Sequence, residues 1–97
     1  MRTEKRFSEF QWDKGNTGKN RKHGVLDSES EEVFFDENKV MLKDVLHSGN
    51  ESRFILLGKT KKGRLLFVVF AKRGAKIRII SARDINKKEK YLYEEKT

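Results

Sequence analysis

"RFILLGKTKKGRLLFVVFAKRGAKIRIISAR", residues 53–83, holds three apolar runs separated by two short polar breaks. The runs are 53–60, 64–72 and 75–82, and the breaks "KKG" and "RG" each supply a glycine. The stretch therefore reads as three strands joined by tight turns. Connections this short cannot carry a parallel crossover, so the strands form an antiparallel meander. "LLFVVF" (65–70) is apolar at every position, which puts cover on both of its faces and places it centrally in the sheet. In the last strand Arg78 shares a side with Ile80.

Upstream, "RFSEFQW" (6–12) brings Phe7, Phe10 and Trp12 together as a short strand. "NTGKNRKHG" (16–24) reads as a short helix, with Asn16 as its N-cap and Gly24 just past its end. "SESEEVFFD" (28–36) carries Ser28 and Glu31 at capping-box spacing, and its acidic first turn suits the positive end of a helix dipole. "KVMLKDV" (39–45) and a polar loop over 46–52 lead into the meander. The tail, 84–95, reads as a last helix on which Ile85 and Leu92, and Glu89 and Tyr93, share faces. The class is α+β: two helices from the first half and one from the tail, packed on an antiparallel sheet of four or five strands.

At 97 residues the chain reads as one domain over 1–97 with little spare stability. Lys and Arg number 23 against 15 Asp and Glu, a formal charge of +8. Such an excess draws phosphate-bearing partners. The acids gather at 27–37 and 94–95, so the basic surface should be a patch. Cysteine is absent, which excludes a disulfide framework and a Cys-based zinc site and is compatible with the cytoplasm. His23 and His47 are too few for a histidine metal cluster. No apolar run approaches the ~20 residues of a membrane span, and "MRTEKRFSEF" lacks the apolar region of a signal peptide.

Three constellations could carry chemistry. The first is the cationic set Arg53, Arg64, Lys72, Arg73, Lys76, Arg78 and Arg83, next to Lys87 and Lys88 at the start of the tail helix. Any one of these arginines could simply pair with a glutamate on a solvated sheet face. The whole set is better explained by phosphate, which the planar guanidinium fork fits well. The second is Glu89 with Tyr93, a carboxylate and a phenol able to move protons, or else a charge ladder beside an edge-sealing tyrosine. The third is His23 beside Lys22, either a base near neutrality or a surface histidine at a helix end. His47 is read as part of a polar loop. No nucleotide-binding glycine motif and no paired-acid metal motif occurs. The expectation is therefore chemistry with no cofactor and no metal.

The pieces "FQWD" (10–13), "KHGV" (22–25), "EEVFFD" (31–36), "RFILLGKTKKGRLLFVVF" (53–70) and "IRIISAR" followed by "KKEKYLYEE" together resemble the BrnT toxins of bacterial type II toxin–antitoxin systems. The resemblance covers roughly residues 10–95. It implies a RelE-like fold and a ribonuclease that arrests growth by cleaving mRNA. It also implies a BrnA-type antitoxin with a ribbon-helix-helix part, so that DNA is met only through the antitoxin in a toxin–antitoxin hetero-oligomer. Matched to this chain, the family's functional positions fall on Lys22 and His23, Arg64, Arg78 and Arg83, Glu89 and Tyr93. The expected reaction is metal-independent attack of a 2′-hydroxyl on the adjacent phosphate of single-stranded RNA. Arg83 and Arg78 would hold the phosphate, Arg64 and the lysines would position the backbone, Glu89 or His23 would act as base, and Tyr93 or a lysine as acid. The other reading is a non-catalytic basic RNA-binding module, ribosome-associated or an RNA chaperone, which needs no proton-transfer groups beside its arginines.

Overall fold

The computed structural model describes residues 9–45, 49 and 51–96. Phe7 and His47 lie outside that range. The described elements run β1 (Glu9–Phe10), a 3-10 turn (Lys19–His23), α1 (Asp27–Glu32) with a 3-10 extension (Val33–Phe35), β2 (Val40–Lys43), β3 (Arg53–Lys59), β4 (Leu65–Arg73), β5 (Lys76–Asp84) and α2 (Lys87–Lys96). The five strands form one sheet in the order β1-β5-β4-β3-β2. β3, β4 and β5 are the expected antiparallel meander, with β4 in the centre.

The sheet is not wholly antiparallel, as the sequence had suggested. β1 runs parallel to β5, with Glu9 opposite Lys76 and Phe10 opposite Ile77. No hairpin links these two strands, so nothing local forces the antiparallel sense.

Each face of the sheet has its own apolar cluster. On one, Leu56, Leu66, Val68, Phe70, Ile77, Ile79 and Ala82 pack under Val25, Val33 and Phe34 from the first half of the chain. On the other, Leu57 and Val40, with Ile55, Leu65 and Phe67, pack under Ile85, Leu92 and Tyr93. Ile85 and Leu92 both pack on this cluster, but Ile85 precedes α2, so the two do not share a helix face as the sequence had suggested. Gly58 lets β3 approach the segment above it: a Cβ there would lie 2.8 Å from the Val33 carbonyl oxygen.

All three expected helices differ in form or extent. Gly18 sits at φ 68°, a left-handed backbone that breaks any helix starting at Asn16, so only the short turn Lys19–His23 remains before Gly24 at φ 71°. α1 begins at Asp27 rather than at a Ser28 cap, because the Glu29 carboxylate accepts the free N–H of Leu26 at 3.0 Å. At the tail, Asn86 and Glu89 close a reciprocal capping box: Glu89 N–H donates to Asn86 Oδ1, and Asn86 N–H to Glu89 Oε1, each at 2.9 Å. α2 therefore starts at Lys87 and not at Asp84.

The outer edge of β5 is covered by strand pairing only at its start. Farther along, side chains take over. The Asn16 amide donates to the carbonyls of Ile79 and Gln11, each at 3.0 Å, and Asn20 Oδ1 accepts the Ala82 N–H at 3.0 Å. Two buried asparagines thus complete the edge that β1 is too short to cover, and they fix the 16–24 segment against β5. No helix among the described residues is long and apolar enough to cross a membrane.

Candidate functional site

Side chains alternate along a strand, so Arg78 and Arg83, an odd number of residues apart, should face opposite ways. They do not. Arg78 stands opposite Ala71 and Arg83 opposite Phe67, and these two partners share a face of β4. The register shifts between them: Ile79 pairs with Phe70 and Ser81 with Val69, leaving Ile80 as the extra residue of a bulge. Both arginines consequently project from the α2 side of the sheet, four β4 residues or ~13 Å apart along the strand.

Arg83 has the richest setting. Its guanidinium carbon lies 3.9 Å from the centroid of the Phe67 ring. Its two terminal nitrogens form a fork on Glu89, at 3.0 and 2.8 Å, and Nη1 also donates to the Asp84 carbonyl at 3.0 Å. A guanidinium has five N–H donors, so Nε and one terminal N–H have no partner among the described residues. The side chain is 39 % exposed, and Glu89 17 %. Glu89's carboxyl is pushed up by partial burial, but the Arg83 fork, the Asn86 N–H and the Arg83 charge outweigh this and hold it below the ordinary range. Glu89 is thus an ionised group that orients Arg83.

Arg64 is more fully committed. Nε and Nη2 grip the two oxygens of Asp84 at 2.7 and 3.1 Å, while Nη1 donates to the Gly24 carbonyl at 2.8 Å and to Glu29 at 3.1 Å. The Arg64 hydrogen bond, with the Arg64 charge, holds Asp84's carboxyl below its usual value against a small desolvation effect. Asp84 therefore joins the two arginines, its carboxylate on Arg64 and its carbonyl on Arg83. Through Gly24, Arg64 also reaches the turn that carries Lys22 and His23, both exposed. Lys87 and Lys88 stand in the first turn of α2, just past this strand end. One end of the sheet thus gathers Lys22, His23, Arg64, Arg83, Glu89, Lys87 and Lys88.

Arg78, Lys72, Arg73 and Lys76 lie toward the other end, around the β4–β5 turn. Arg78 is only 17 % exposed, donates to Asp13 at 2.7 Å and is overlain by Gly15. Arg73 grips Glu51 at 2.6 Å, and Lys76 pairs with Glu9 at 3.3 Å. Lys72 is exposed, with no partner among the described residues. The expected single patch is divided in two by the length of β4 and β5.

Tyr93 is turned away from Glu89. Its hydroxyl donates to Asp36 Oδ2 at 2.6 Å, and burial, with this hydrogen bond and the Asp36 charge, pushes its pKa well up. Asp36 also accepts the N–H groups of Asn38 and Lys59, which together with Tyr93 overcome the cost of its own burial and lower its pKa. Among the described residues no three His, Asp or Glu side chains are grouped as metal ligands.

Reasoning from the sequence singled out the arginines and Glu89 but not the other acids that set them. Asp13, Glu29 and Asp84 follow no period, and only the Arg83-Asp84 juxtaposition in "SARD" hinted at one of them. Asn16 reads as a helix N-cap and Asn20 as one residue of that short helix, and nothing in the pattern shows that both side chains turn to the edge of β5.

Arg83, partly exposed over an aromatic ring, thus stands at the strand end that leads into the capped start of α2 in a small α+β protein. The profile described as "Ribonuclease toxin, BrnT, of type II toxin-antitoxin system" matches residues 12–89. The chain belongs to this family of ribonuclease toxins, whose systems provide each toxin with an antitoxin. A search among curated proteins returns no match.

Proposed function

We propose that the protein is a metal-independent endoribonuclease that cuts single-stranded mRNA and so arrests growth, acting at the sheet end formed by β5 and α2. The observation that carries this reading is Arg83: oriented by Glu89 and Phe67, yet keeping Nε and one terminal N–H for an anion.

In the reaction the 2′-oxygen attacks the adjacent phosphorus, and the bond from phosphorus to the 5′-oxygen breaks. The products are a 2′,3′-cyclic phosphate and a 5′-hydroxyl. Arg83 supports the charge that grows on the non-bridging oxygens, the kind of electrostatic contribution that often dominates catalysis. His23 takes the 2′-hydroxyl proton, because Glu89 is engaged by Arg83 and its lowered pKa makes it a weak base. Lys22 or a lysine of α2 returns a proton to the 5′-oxygen, because the Tyr93 hydroxyl is committed to Asp36. Arg78, with Lys72, Arg73 and Lys76, lies farther along the same sheet and serves neighbouring phosphates. Unstacked RNA suits an open site, since side chains cannot read the narrow major groove of an RNA duplex.

The partner is a BrnA-type, ribbon-helix-helix antitoxin that covers this basic end with acidic and apolar side chains. DNA is contacted only through that antitoxin. The test is incubation of purified protein with single-stranded RNA in EDTA. Cleavage leaving 2′,3′-cyclic ends is expected. Intact RNA at high protein concentration would instead identify a non-catalytic RNA-binding module.

A further inference from the structure

We propose that Arg64, Asp84 and Glu29 form a clasp that sets the position of the Lys22–His23 turn, and that Arg64 is a positioning residue which does not touch RNA. The proposal builds on reading this sheet end as the ribonuclease site.

Donor accounting is the first argument. Of the five guanidinium N–H groups, four are already bonded, two to Asp84, one to Gly24 and one to Glu29. Charge is the second. Two carboxylates face one guanidinium, so the cluster is net negative, and a phosphate would have to displace Asp84 or Glu29 to reach Arg64. Arg83 differs on both counts, having one carboxylate partner and two uncommitted N–H groups.

What the clasp holds is the third argument. Its members come from the end of β5, the first turn of α1 and the start of β4, and the group they enclose is the Gly24 carbonyl. The turn behind that carbonyl is closed by Gly24 N–H to the Arg21 carbonyl at 2.8 Å and Val25 N–H to the Asn20 carbonyl at 3.1 Å. Asn20 in turn holds the Ala82 N–H, so the turn is fastened to β5 on both sides of Lys22 and His23. Glu29 and Arg64 are themselves fixed: the Glu29 carboxylate caps the Leu26 N–H, and Thr60 Oγ1 accepts the Arg64 backbone N–H at 3.0 Å. Without the guanidinium, Gly24 loses its tie to the sheet, and a shift of ~1 Å at a proton-transfer group can cost about 10²-fold in rate.

Two variants separate a clasp from a phosphate contact. Lys binds phosphate as a point charge but cannot form the fork, so Arg64→Lys should lower kcat by roughly 10- to 100-fold with KM little changed. Asp84→Asn should also lower kcat, without tightening RNA binding. Near-normal turnover in Arg64→Lys, or tighter binding with undiminished cleavage in Asp84→Asn, would overturn the proposal. Thermal melts check that each variant folds, and if one does not, the other decides. Wild-type protein that leaves RNA intact would remove the ribonuclease reading of the site. The clasp would then be judged by the His23 imidazole resonances alone, which should move in Arg64→Lys and would stay in place if Arg64 does not hold the turn.

Discussion

Arg83 and Arg64 are the same residue type, at one end of one sheet, with opposite employments. Arg83 is braced on one side by Glu89 and Phe67 and keeps another side open. Replacing Arg83 with Ala should reduce RNA cleavage by about 10²–10³-fold, the loss typical of a removed oxyanion donor. Growth arrest on expression should vanish, while the melting temperature changes little because the side chain is partly exposed. Persistent arrest would remove Arg83 from the catalytic set. Tyr93 has a structural part instead. Its hydroxyl ties α2 to Asp36, and Tyr93→Phe should cost about 1.5–3 kcal/mol, the worth of a hydrogen bond to a charged group. Asp36 has a lowered pKa, so its contribution is present above its unfolded value of 3.8 and is lost as pH falls through the folded value. Tyr93 has a raised pKa, so its contribution is present below its unfolded value of 10.0 and is lost as pH climbs beyond it. Unfolding curves of the wild type should therefore weaken at both extremes, and Tyr93→Phe should flatten the alkaline side. An unchanged alkaline limb would mean that the pair contributes nothing.

At the scale of elements, the meander was open to sequence reasoning because each strand is local and its apolar pattern is strong. β4, apolar from Leu65 to Ala71, lies centrally as that pattern required. The parallel β1 was not legible, since its partner is more than sixty residues away and its two described residues carry no directional signal. The bulge at Ile80 was equally hidden. Nothing in "IRIISAR" marks where alternation breaks, yet that break puts Arg78 and Arg83 on one face. Glu89 and Tyr93 share a helix side in projection, but Glu89 is drawn to Arg83 at the end of β5 while the Tyr93 hydroxyl is turned to Asp36. Asn20 shows what composition conceals. Asn20→Ala would leave the buried Ala82 N–H unpaired, at a cost of about 1–3 kcal/mol. For a protein of this size that is a fall of several degrees or more in melting temperature. A melt unchanged within a degree would show that the edge finds another acceptor.

Over the molecule as a whole, the formal charge of +8 overstates what RNA can use. Asp13, Glu29, Glu51, Asp84 and Glu89 offset part of the charge of Arg78, Arg64, Arg73 and Arg83. Among the described residues, the exposed cations outside these pairs include Lys14, Lys19, Arg21 and Lys22, then Lys87, Lys88 and Lys90 of α2, and a separate group at Lys59, Lys61 and Lys62. If Lys22, Arg83, Lys87 and Lys88 make the main phosphate contacts, log affinity for single-stranded RNA should fall with log salt at a slope near −3, about 0.7 per contact. A slope near zero would mean that binding is not electrostatic at all.

The Asn20–Ala82 tie, spanning 62 positions of the chain, also has a meaning in time. As the polypeptide is synthesised, the segment bearing Lys22 and His23 emerges early and waits for β5 to provide its anchor. A message broken, or a ribosome stalled, before codon 82 yields a fragment with neither that anchor nor Arg83. On the function proposed above, such a fragment should not cleave RNA, since it carries no Arg83 and its Lys22–His23 turn lacks the tie to β5.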